Sequence, residues 1–413
     1  MDILILAHFC GDFSNSDNGR FAYLAGLLSK RHDVEIVTSD FQHSKKRHRD
    51  ETGAERAFRV TFLHEPGYGK NVSIKRFQSH FVWGRNVARY LRGRKRPDVI
   101  YCAVPSLSGP LAAAEYCKAT GVRFLLDVQD LWPEAFRMAF RVPVLSDMAF
   151  APFRLMADRI YRQADGVTAV SRSYAEYVAE INGRIPAPEY VYLGTNLETF
   201  DANAARNRPA ERGGGLCLGY CGTLGSSYDL TAVLDALALL RGRGVRPPRF
   251  LVMGSGPRRA EFERYAAEKG LDVEFTGLLP YDRMCGRLAA CDMVVNPIVG
   301  TSVASIINKH ADYAASGLPV LNTQNSEEYR ALVERYRMGF NCENGNTAQL
   351  ADRLRQLMED PELRGEMGRN ARRCAEECFD RRKTYGGLVE FVEREERQQV
   401  MEAVPVFSHT GLG

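Results

Sequence analysis

A lysine and an aspartate three positions apart are the residues in this sequence best placed to do chemistry. Lys309 and Asp312 lie in a stretch with helical periodicity, and residues three apart on a helix share a face. An ammonium group can neutralise a diphosphate leaving group, and a carboxylate can accept hydrogen bonds from ribose hydroxyls. We therefore predict that these two residues have catalytic and nucleotide-binding roles. An exposed ion pair on a surface helix is the alternative interpretation.

Small hydroxyl side chains precede this helix. Thr301 and Ser302 lie just ahead of it, and Asn308 lies in its first turn. Unpaired backbone N–H groups at a helix N-terminus attract anions, and hydroxyl groups add further donors. We expect Thr301, Ser302 and Asn308 to contact a bound nucleotide, which would be the donor in a group-transfer reaction.

Two glycine loops, 219–227 and 254–259, follow predicted strands in the same half of the chain. The second is not a complete dinucleotide fingerprint, because Arg259 occupies the third glycine position. Small residues still allow close backbone approach, and arginines at a helix N-terminus suit a phosphate. The alternative for the first loop is a flexible turn, and the alternative for the second loop is a plain tight turn. The predicted donor-binding residues of these loops are Gly222, Thr223, Leu224, Gly254, Gly256 and Arg258.

A second group of candidates lies in the first half of the chain. Gln129 and Asp130 follow the predicted strand 123–128, and Asp130 can orient or deprotonate an acceptor hydroxyl. Gly19 and Arg20 lie in a small-residue loop before a helix. We predict that all four residues bind the acceptor and that Asp130 is catalytic. The alternative for Asp130 is that it caps the next turn. The alternative for Gly19 is that it belongs to an ordinary loop between a strand and a helix.

Short apolar runs alternate with longer amphipathic stretches along the whole chain, which is the pattern of parallel sheets covered by helices. The fold class predicted is α/β, with two Rossmann-like lobes facing a central cleft and a helical C-terminus. The polar segment 201–215 is interpreted as the interdomain linker. The predicted units are a first lobe over 1–202 that binds the acceptor, a nucleotide-binding lobe over 203–380, a helix over 381–400 that packs back on the first lobe, and a flexible tail over 401–413.

Composition narrows the functional class. A 413-residue chain with 45% hydrophobic and 26% charged residues is ordinary for a globular protein, and a net charge of +4 does not indicate nucleic-acid binding. The ten cysteines show no metal-binding spacing and are expected to be reduced and mostly buried. Neither a secretory signal nor a membrane span is predicted, so we expect a cytoplasmic location.

Two stretches of the first half combine basic and apolar residues. Segment 70–96 contains nine lysines and arginines interleaved with aromatic residues, and segment 136–161 has a similar mixture. Such segments are typical of interfacial surfaces, so we predict peripheral contact with the inner face of a membrane. Solvated basic helix faces with aromatic residues turned to the core are the alternative.

Several segments, in their order along the chain, resemble glycosyltransferase family 4. Residues 164–171 resemble its "AD-x-V-x-x-V-S" strand, 254–257 its "G-x-G-P", and 309–320 the helix pattern "K-x-x-E-Y-x-A-x-G-x-P-V". Residues 130–134 are similar to the "D-L-W-P-E" of bacterial surface-polysaccharide enzymes. The resemblance implies a GT-B fold and a retaining transferase that needs no cofactor and no metal for catalysis. It also implies a nucleotide-sugar donor, commonly a UDP-sugar, and a lipid-linked acceptor.

The sequence departs from the family pattern at the paired glutamates and at Gln129, and residues 222–228 lack the arginine and lysine often found after the first glycine loop. The first of the family's paired glutamates is replaced by Ala304, and the second by the shorter Asp312. Gln129 stands where many members have histidine or arginine. A sugar-nucleotide epimerase of the same fold and a non-catalytic nucleotide-sugar-binding subunit therefore stay open as alternatives, and Ala304 favours the second.

Overall fold

The computed structural model describes residues 1–11, 13, 19–49, 56–71, 73–133, 143–210, 214–300 and 306–394, with the side chains of 143–149 left out. Thr301, Ser302 and Ala304, residues 136–142 of the segment 136–161, and the predicted tail lie outside this description. All ten cysteines lie inside it as free thiols, eight of them buried, as expected from their scattered spacing.

Seven strands in the described part of the first lobe form one parallel sheet, whose central strands bury apolar residues on both faces. The sheet order is β5-β2-β1-β6-β7-β8-β9, and a short antiparallel hairpin, β3 with β4, follows β2. The strands are β1 Asp2–Leu6, β2 Asp33–Ser39, β3 Phe41–Gln42, β4 Arg47–His48, β5 Arg59–Leu63, β6 Val99–Val104, β7 Arg123–Val128, β8 Gly166–Ala169 and β9 Glu189–Tyr190.

Helices cover both faces of this sheet. One core lies under α2 to α5, and a second lies on the opposite face under α1. The helices are α1 Arg20–Leu28, α2 Ile74–Gly93, α3 Ser108–Thr120, α4 Pro143–Gln163 and α5 Arg172–Asn182. Ser73 and Ser171 cap α2 and α5 through their side chains, which satisfies backbone N–H groups that would otherwise lack a partner.

The described part of the second lobe repeats this arrangement with a six-stranded parallel sheet in the order β12-β11-β10-β13-β14-β15. Its strands are β10 Cys217–Cys221, β11 Arg249–Met253, β12 Val273–Gly277, β13 Met293–Asn296, β14 Val320–Asn322 and β15 Gly339–Asn341. Its helices are α6 Leu197–Arg206, α7 Leu230–Gly242, α8 Arg259–Glu268, α9 Tyr281–Leu288, α10 Asn308–Ala315, α11 Glu327–Tyr336, α12 Thr347–Glu359 and α13 Pro361–Cys374. The two sheets confirm the predicted α/β class with two Rossmann-like lobes.

The chain crosses between the lobes twice, and the two crossings lie side by side. The amide of Thr195 donates to the carbonyl of Phe379 over 2.8 Å, and the backbone amide of Arg381 donates to the carbonyl of Thr195 over 3.0 Å. A π-helical turn, Ala375–Phe379, leads into α14, Arg381–Glu393. Tyr385, Leu388 and Phe391 of α14, with Val389 and Val392, join the first-lobe core of β1 and α1.

The prediction of a linker over 201–215 is wrong in its first part. Helix α6 occupies residues 197–206, and Asn196 caps it by accepting from the Thr199 amide over 3.1 Å. Leu197 and Phe200 are buried in the core of the second lobe. The change of lobe therefore falls near Thr195, earlier than the boundary predicted at residue 202.

Candidate active site

The two glycine loops pack directly on each other at the carboxyl ends of β10 and β11. The Gly222 amide donates to the Met253 carbonyl over 2.9 Å, and the Leu224 amide donates to the Ser255 carbonyl over 3.0 Å. Gly222 and Gly254 have φ angles of 144° and 153°, which favour glycine. A Cβ atom on Gly254 would lie 1.8 Å from the Gly222 carbonyl oxygen. The loops thus form one rigid backbone surface without side-chain bulk.

Lys309, on α10, points at this backbone surface. Its ammonium donates to the Tyr220 hydroxyl over 3.3 Å and lies 4.3 Å and 3.8 Å from the ring centroids of Tyr220 and Tyr228. A Cβ atom on Gly222 would lie 2.7 Å from the Lys309 Nζ atom. Burial lowers the pKa of Lys309 to about 7. Within the described ranges no carboxylate forms an ion pair with this buried ammonium, so it is a cation without an anionic partner.

Asp312 lies on the same helix but faces the crossing between the lobes. Its Oδ1 atom accepts from the Tyr281 hydroxyl over 2.8 Å, and that hydroxyl is also 2.8 Å from Thr195 Oγ1. Burial raises the pKa of Asp312 to about 6, against the hydrogen bond from Tyr281 and the charge of Arg381. The described ion pairs do not include one between Lys309 and Asp312, so the structure does not favour the alternative of an exposed pair.

The other predicted donor-binding residues surround the same surface. The Thr223 carbonyl accepts from the Tyr220 hydroxyl over 2.8 Å, and a Cβ atom on Gly256 would lie 2.3 Å from the Leu224 carbonyl oxygen. Arg258 follows the second loop, but its guanidinium donates to the Glu261 carboxylate over 2.8 and 2.5 Å. Arg258 is therefore already paired at the N-terminus of α8, unlike Lys309. Thr301 and Ser302 lie outside the described residues.

In the first lobe, Arg20 does not present a free guanidinium. It donates to both carboxylate oxygens of Asp127 over 2.7 and 3.0 Å and to the Val191 carbonyl over 2.9 Å. The side chains of Arg20 and Asp127 are only 3% and 0% exposed. Burial alone would lower the pKa of Arg20, but Asp127 raises it well above its ordinary value. The guanidinium predicted to bind an acceptor thus holds α1 to β7.

A cavity of about 130 Å³ lies between the lobes and brings predicted residues of both together. Gly19, Arg20 and Gln129 line it from the first lobe, and Asn308 lines it from the second. The Gln129 Nε2 atom is buried and has no hydrogen-bond partner among the described residues, so it can donate to a bound molecule. Arg381, which sequence reasoning missed, completes the lining at the start of α14. Nothing in its local sequence distinguishes it from other arginines.

Asp130 follows β7 next to a group of buried basic and aromatic residues. One carboxylate oxygen of Asp130 accepts from the amide of Leu131 over 3.0 Å. Asp130 raises the pKa of Arg76, although burial is the larger influence and lowers it. The Arg76 guanidinium lies 4.7 Å from the ring centroid of Trp132. Arg76 belongs to the basic segment 70–96, which was interpreted as surface, so its position beside Asp130 was not predicted.

This arrangement is typical of two-lobed α/β proteins that bind a nucleotide between the lobes. Two parallel-sheet lobes face a cleft in which glycine loops, a buried lysine and a half-buried aspartate meet at the carboxyl ends of strands, the position where α/β sheets bind nucleotides. A model described as glycosyl transferase 4-like domain matches residues 20–195, and one described as glycosyl transferases group 1 matches residues 216–360. The chain belongs to glycosyltransferase family 4.

Individual relatives are distant. The chain is 26% identical to a 2-deoxystreptamine glucosyltransferase of Streptomyces kanamyceticus over 62% of this chain and 65% of the relative. It is 26% identical to a GDP-mannose-dependent monoacylated alpha-(1-6)-phosphatidylinositol monomannoside mannosyltransferase of Corynebacterium glutamicum, over 51% of this chain and 57% of that one. The match thus spans less than two thirds of the length of either relative.

Among solved structures, the chain is similar to Anabaena HepE in complex with UDP, with a TM-score of 0.68 and 17% identity. That similarity covers 95% of this chain and 100% of HepE. It supports the GT-B fold over nearly the whole chain.

Proposed function

We propose that this protein is a retaining glycosyltransferase that moves a sugar from a UDP-sugar to a hydroxyl of a lipid-linked glycan in surface-polysaccharide synthesis. The family membership supports glycosyl transfer, and the crystallised HepE complex supports UDP as the nucleotide. The acylated acceptor in the name of the Corynebacterium relative supports a lipid-linked acceptor. Retention is what the family resemblance implies.

The observation that carries the proposal is the buried ammonium of Lys309. A buried charge is costly unless it is paired, and burial has already lowered the pKa of this lysine to about 7. A diphosphate on the adjacent glycine-loop backbone would supply the missing negative charge. As the sugar leaves, charge grows on that diphosphate, and a preorganised cation stabilises it where it develops.

Other residues have positioning roles in this proposal. Asp312 would accept hydrogen bonds from the ribose, and the N–H groups of the glycine loops would contact phosphate oxygens. Asp130, at the end of β7, would orient or deprotonate the acceptor hydroxyl. Gln129 and Gly19 would contact the acceptor across the cavity between the lobes.

Titration calorimetry with UDP and with GDP tests the donor half. We expect wild-type protein to bind UDP, and Lys309→Met to weaken binding of UDP and turnover by roughly a hundredfold. Lys269→Met is the matched control, because Lys269 is a half-buried lysine outside the cleft whose ammonium lies 2.9 Å from Asp235. Asp130→Asn should reduce transfer while leaving UDP affinity unchanged. Equal UDP affinity in wild type and Lys309→Met would contradict the proposal, and tighter binding of GDP would correct the donor.

We also propose that the first lobe docks on the inner face of the membrane, which would bring the cleft to a lipid-linked acceptor. Along α2, exposed residues recur at helical spacing: Ile74 and Phe81 are 78% and 60% exposed, and Arg85, Arg89 and Arg92 continue the same stripe. Apolar insertion combined with basic contacts is the usual basis of interfacial binding. No helix in the described ranges is long and apolar enough to cross a bilayer.

The structure narrows the surface predicted from segment 70–96. Trp83 is fully buried, and Arg94 forms ion pairs with Asp2 over 2.8 Å and with Glu35 over 3.2 Å. These residues hold the fold together and do not face a membrane. Of the second segment, Phe150 is buried and Leu155 is 70% exposed.

Vesicle sedimentation tests the docking proposal. Each basic residue near an anionic surface contributes about 1 kcal/mol. Replacing Arg85, Arg89 and Arg92 together by serine should therefore abolish most binding to phosphatidylglycerol vesicles. The control replaces three exposed arginines of the second lobe: Arg264, Arg283 and Arg369. Equal loss in both triple variants would contradict docking through α2, and no wild-type binding to anionic vesicles would leave a transferase without membrane contact.

A further inference from the structure

Three metal-ligating side chains meet at the edge of the first-lobe sheet, away from the residues assigned above. Asp40 directly follows β2, His48 ends the hairpin strand β4, and His64 directly follows β5. Asp40 Oδ2 lies 2.7 Å from His64 Nδ1, and Asp40 Oδ1 lies 3.3 Å from His48 Nδ1. One ligand atom from each residue lies within 4.8 Å of the other two. The three residues will be called the edge triad.

The backbone around the edge triad is held by hydrogen bonds, while the side chains of its two histidines are exposed. The Asp40 amide donates to the Leu63 carbonyl over 3.0 Å, and Asp40 Oδ1 accepts from the Glu65 amide over 3.1 Å. The imidazole rings of His48 and His64 are stacked with centroids 5.5 Å apart. Their side chains are 46% and 65% exposed, so an ion can approach from solvent. Little reorganisation would be needed to bind one.

We propose that the edge triad binds a zinc-class divalent transition-metal ion. Two imidazole nitrogens and one carboxylate oxygen are a ligand set suited to Zn²⁺, Co²⁺ or Ni²⁺, whereas Mg²⁺ and Ca²⁺ prefer oxygen ligands alone. Three protein ligands leave a coordination position for water. The inference uses no residue of the donor or acceptor site and does not depend on the proposed function.

A second cluster of similar composition shows why the edge triad is the better candidate. His8, Glu65 and His80 also lie within 4.8 Å of one another, but they are buried. Both His8 nitrogens are already hydrogen-bonded, Nε2 to Glu65 and Nδ1 to Ser106, each over 2.8 Å. Glu65 also accepts from the hydroxyls of two serines. That cluster is a buried hydrogen-bond network without open ligand positions on His8.

Metal binding at the edge triad would fix one wall of the cavity between the lobes. Arg49, the neighbour of His48, donates to the Cys10 carbonyl over 2.7 Å and to the Gly11 carbonyl over 2.9 Å. Cys10 and Gly11 line that cavity. An ion joining β2, the hairpin and β5 would hold Arg49, and through it this loop, in place. The expected role is structural.

The test measures metal binding to the full chain without an affinity tag. Calorimetry with Zn²⁺ should show one ion per chain, Co²⁺ should give a visible absorption spectrum, and Mg²⁺ should give neither. Zn²⁺ at a hundredfold excess over its Kd should raise the Tm of the first-lobe transition by about 5 °C. His48→Ala and His64→Ala should each weaken Zn²⁺ binding at least tenfold.

Two further variants keep the test decisive. Asp40→Asn preserves the size of the side chain, so a loss of Zn²⁺ affinity with unchanged circular dichroism is not a folding defect. His32→Ala is the control for a histidine beside a carboxylate outside the triad, because the Nε2 atom of His32 lies 2.7 Å from Glu393. Zn²⁺ affinity that survives both triad histidine variants, as binding to thiols would, overturns the proposal, and so does the absence of Zn²⁺ binding by wild type.

Discussion

Lys309 and Arg20 are both buried cations at the cleft, and the difference between them lies in their partners. Arg20 meets both oxygens of Asp127, which raises the pKa of the guanidinium well above its usual value. Lys309 meets two tyrosine rings and a glycine loop, and burial lowers its pKa to about 7. A buried cation with a carboxylate built into the fold has a structural role, whereas one without such a partner is suited to bind an anionic ligand.

The largest expected effect follows from breaking the Arg20 pair. Arg20→Met would leave the Asp127 carboxylate buried and uncompensated, which should lower the free energy of unfolding by about 3–5 kcal/mol. Urea unfolding of the first lobe measures this. Replacing both partners, as Arg20→Met with Asp127→Leu, should restore much of the loss, because no charge then stays buried alone.

In the second lobe, the substitution to compare with Arg20→Met is Lys309→Met. It removes a buried, unpaired charge and should leave stability unchanged or raised. If Arg20→Met and Lys309→Met destabilised the protein equally, the distinction between a structural and a ligand-binding cation would be wrong.

The second prediction concerns the pH dependence of donor binding. The affinity should change by at most about tenfold per pH unit. The pKa of Lys309 is lowered to about 7, so its cation is lost as pH rises through 7, and diphosphate binding weakens. The pKa of Asp312 is raised to about 6, so its carboxylate is lost as pH falls through 6, and ribose binding weakens. Affinity for UDP-glucose should therefore be highest between about pH 6 and 7.

Calorimetry across pH 5 to 8.5 measures that profile, and UDP-glucose is the probe because its diphosphate diester does not titrate in this range. Lys309→Met should flatten the alkaline side and leave the acidic side in place. A wild-type affinity that is constant across the whole range would show that neither group controls binding.

Sequence reasoning found the fold because its evidence is local. Buried strands are short apolar runs, and their alternation with amphipathic helices predicts parallel sheets without knowledge of any contact. The linker prediction was wrong because α6 is polar on most of its surface, with Leu197 and Phe200 as its fully buried side chains. Composition averaged over the segment concealed the two residues that fix it to the second lobe.

Partners that are distant in sequence could not be predicted. Nothing near Arg20 indicates that Asp127 occupies its guanidinium, and nothing near Arg94 indicates its ion pairs with Asp2 and Glu35. The basic and aromatic composition of segment 70–96 could not show that Trp83 faces the core while Phe81 faces solvent. Residue type and spacing identify candidates, but the fold decides which of them are free to bind a ligand.

The smallest expected effect tests whether Asp312 depends on its neighbours as Arg20 depends on Asp127. The Tyr281 hydroxyl donates to Asp312 Oδ1 over 2.8 Å and lies 2.8 Å from Thr195 Oγ1, at the crossing between the lobes. This hydrogen bond favours the ionised carboxylate, opposing the burial that raises the pKa of Asp312. The charge of Arg381, on α14, also lowers the pKa of Asp312.

Tyr281→Phe removes that hydroxyl and should raise the pKa of Asp312 further, so the acidic limb of the UDP-glucose affinity profile moves to higher pH. We expect affinity to fall about two- to sevenfold at pH 6 and about twofold at most at pH 7, since one hydrogen bond contributes roughly 0.5–1.5 kcal/mol and about 1.4 kcal/mol moves a pKa by one. Tyr228→Phe is the matched control, because Tyr228 contacts Lys309 through its ring. A uniform loss of affinity at every pH would indicate only a packing defect, whereas a shifted acidic limb with an unchanged alkaline limb would identify Tyr281 as the residue that keeps Asp312 ionised.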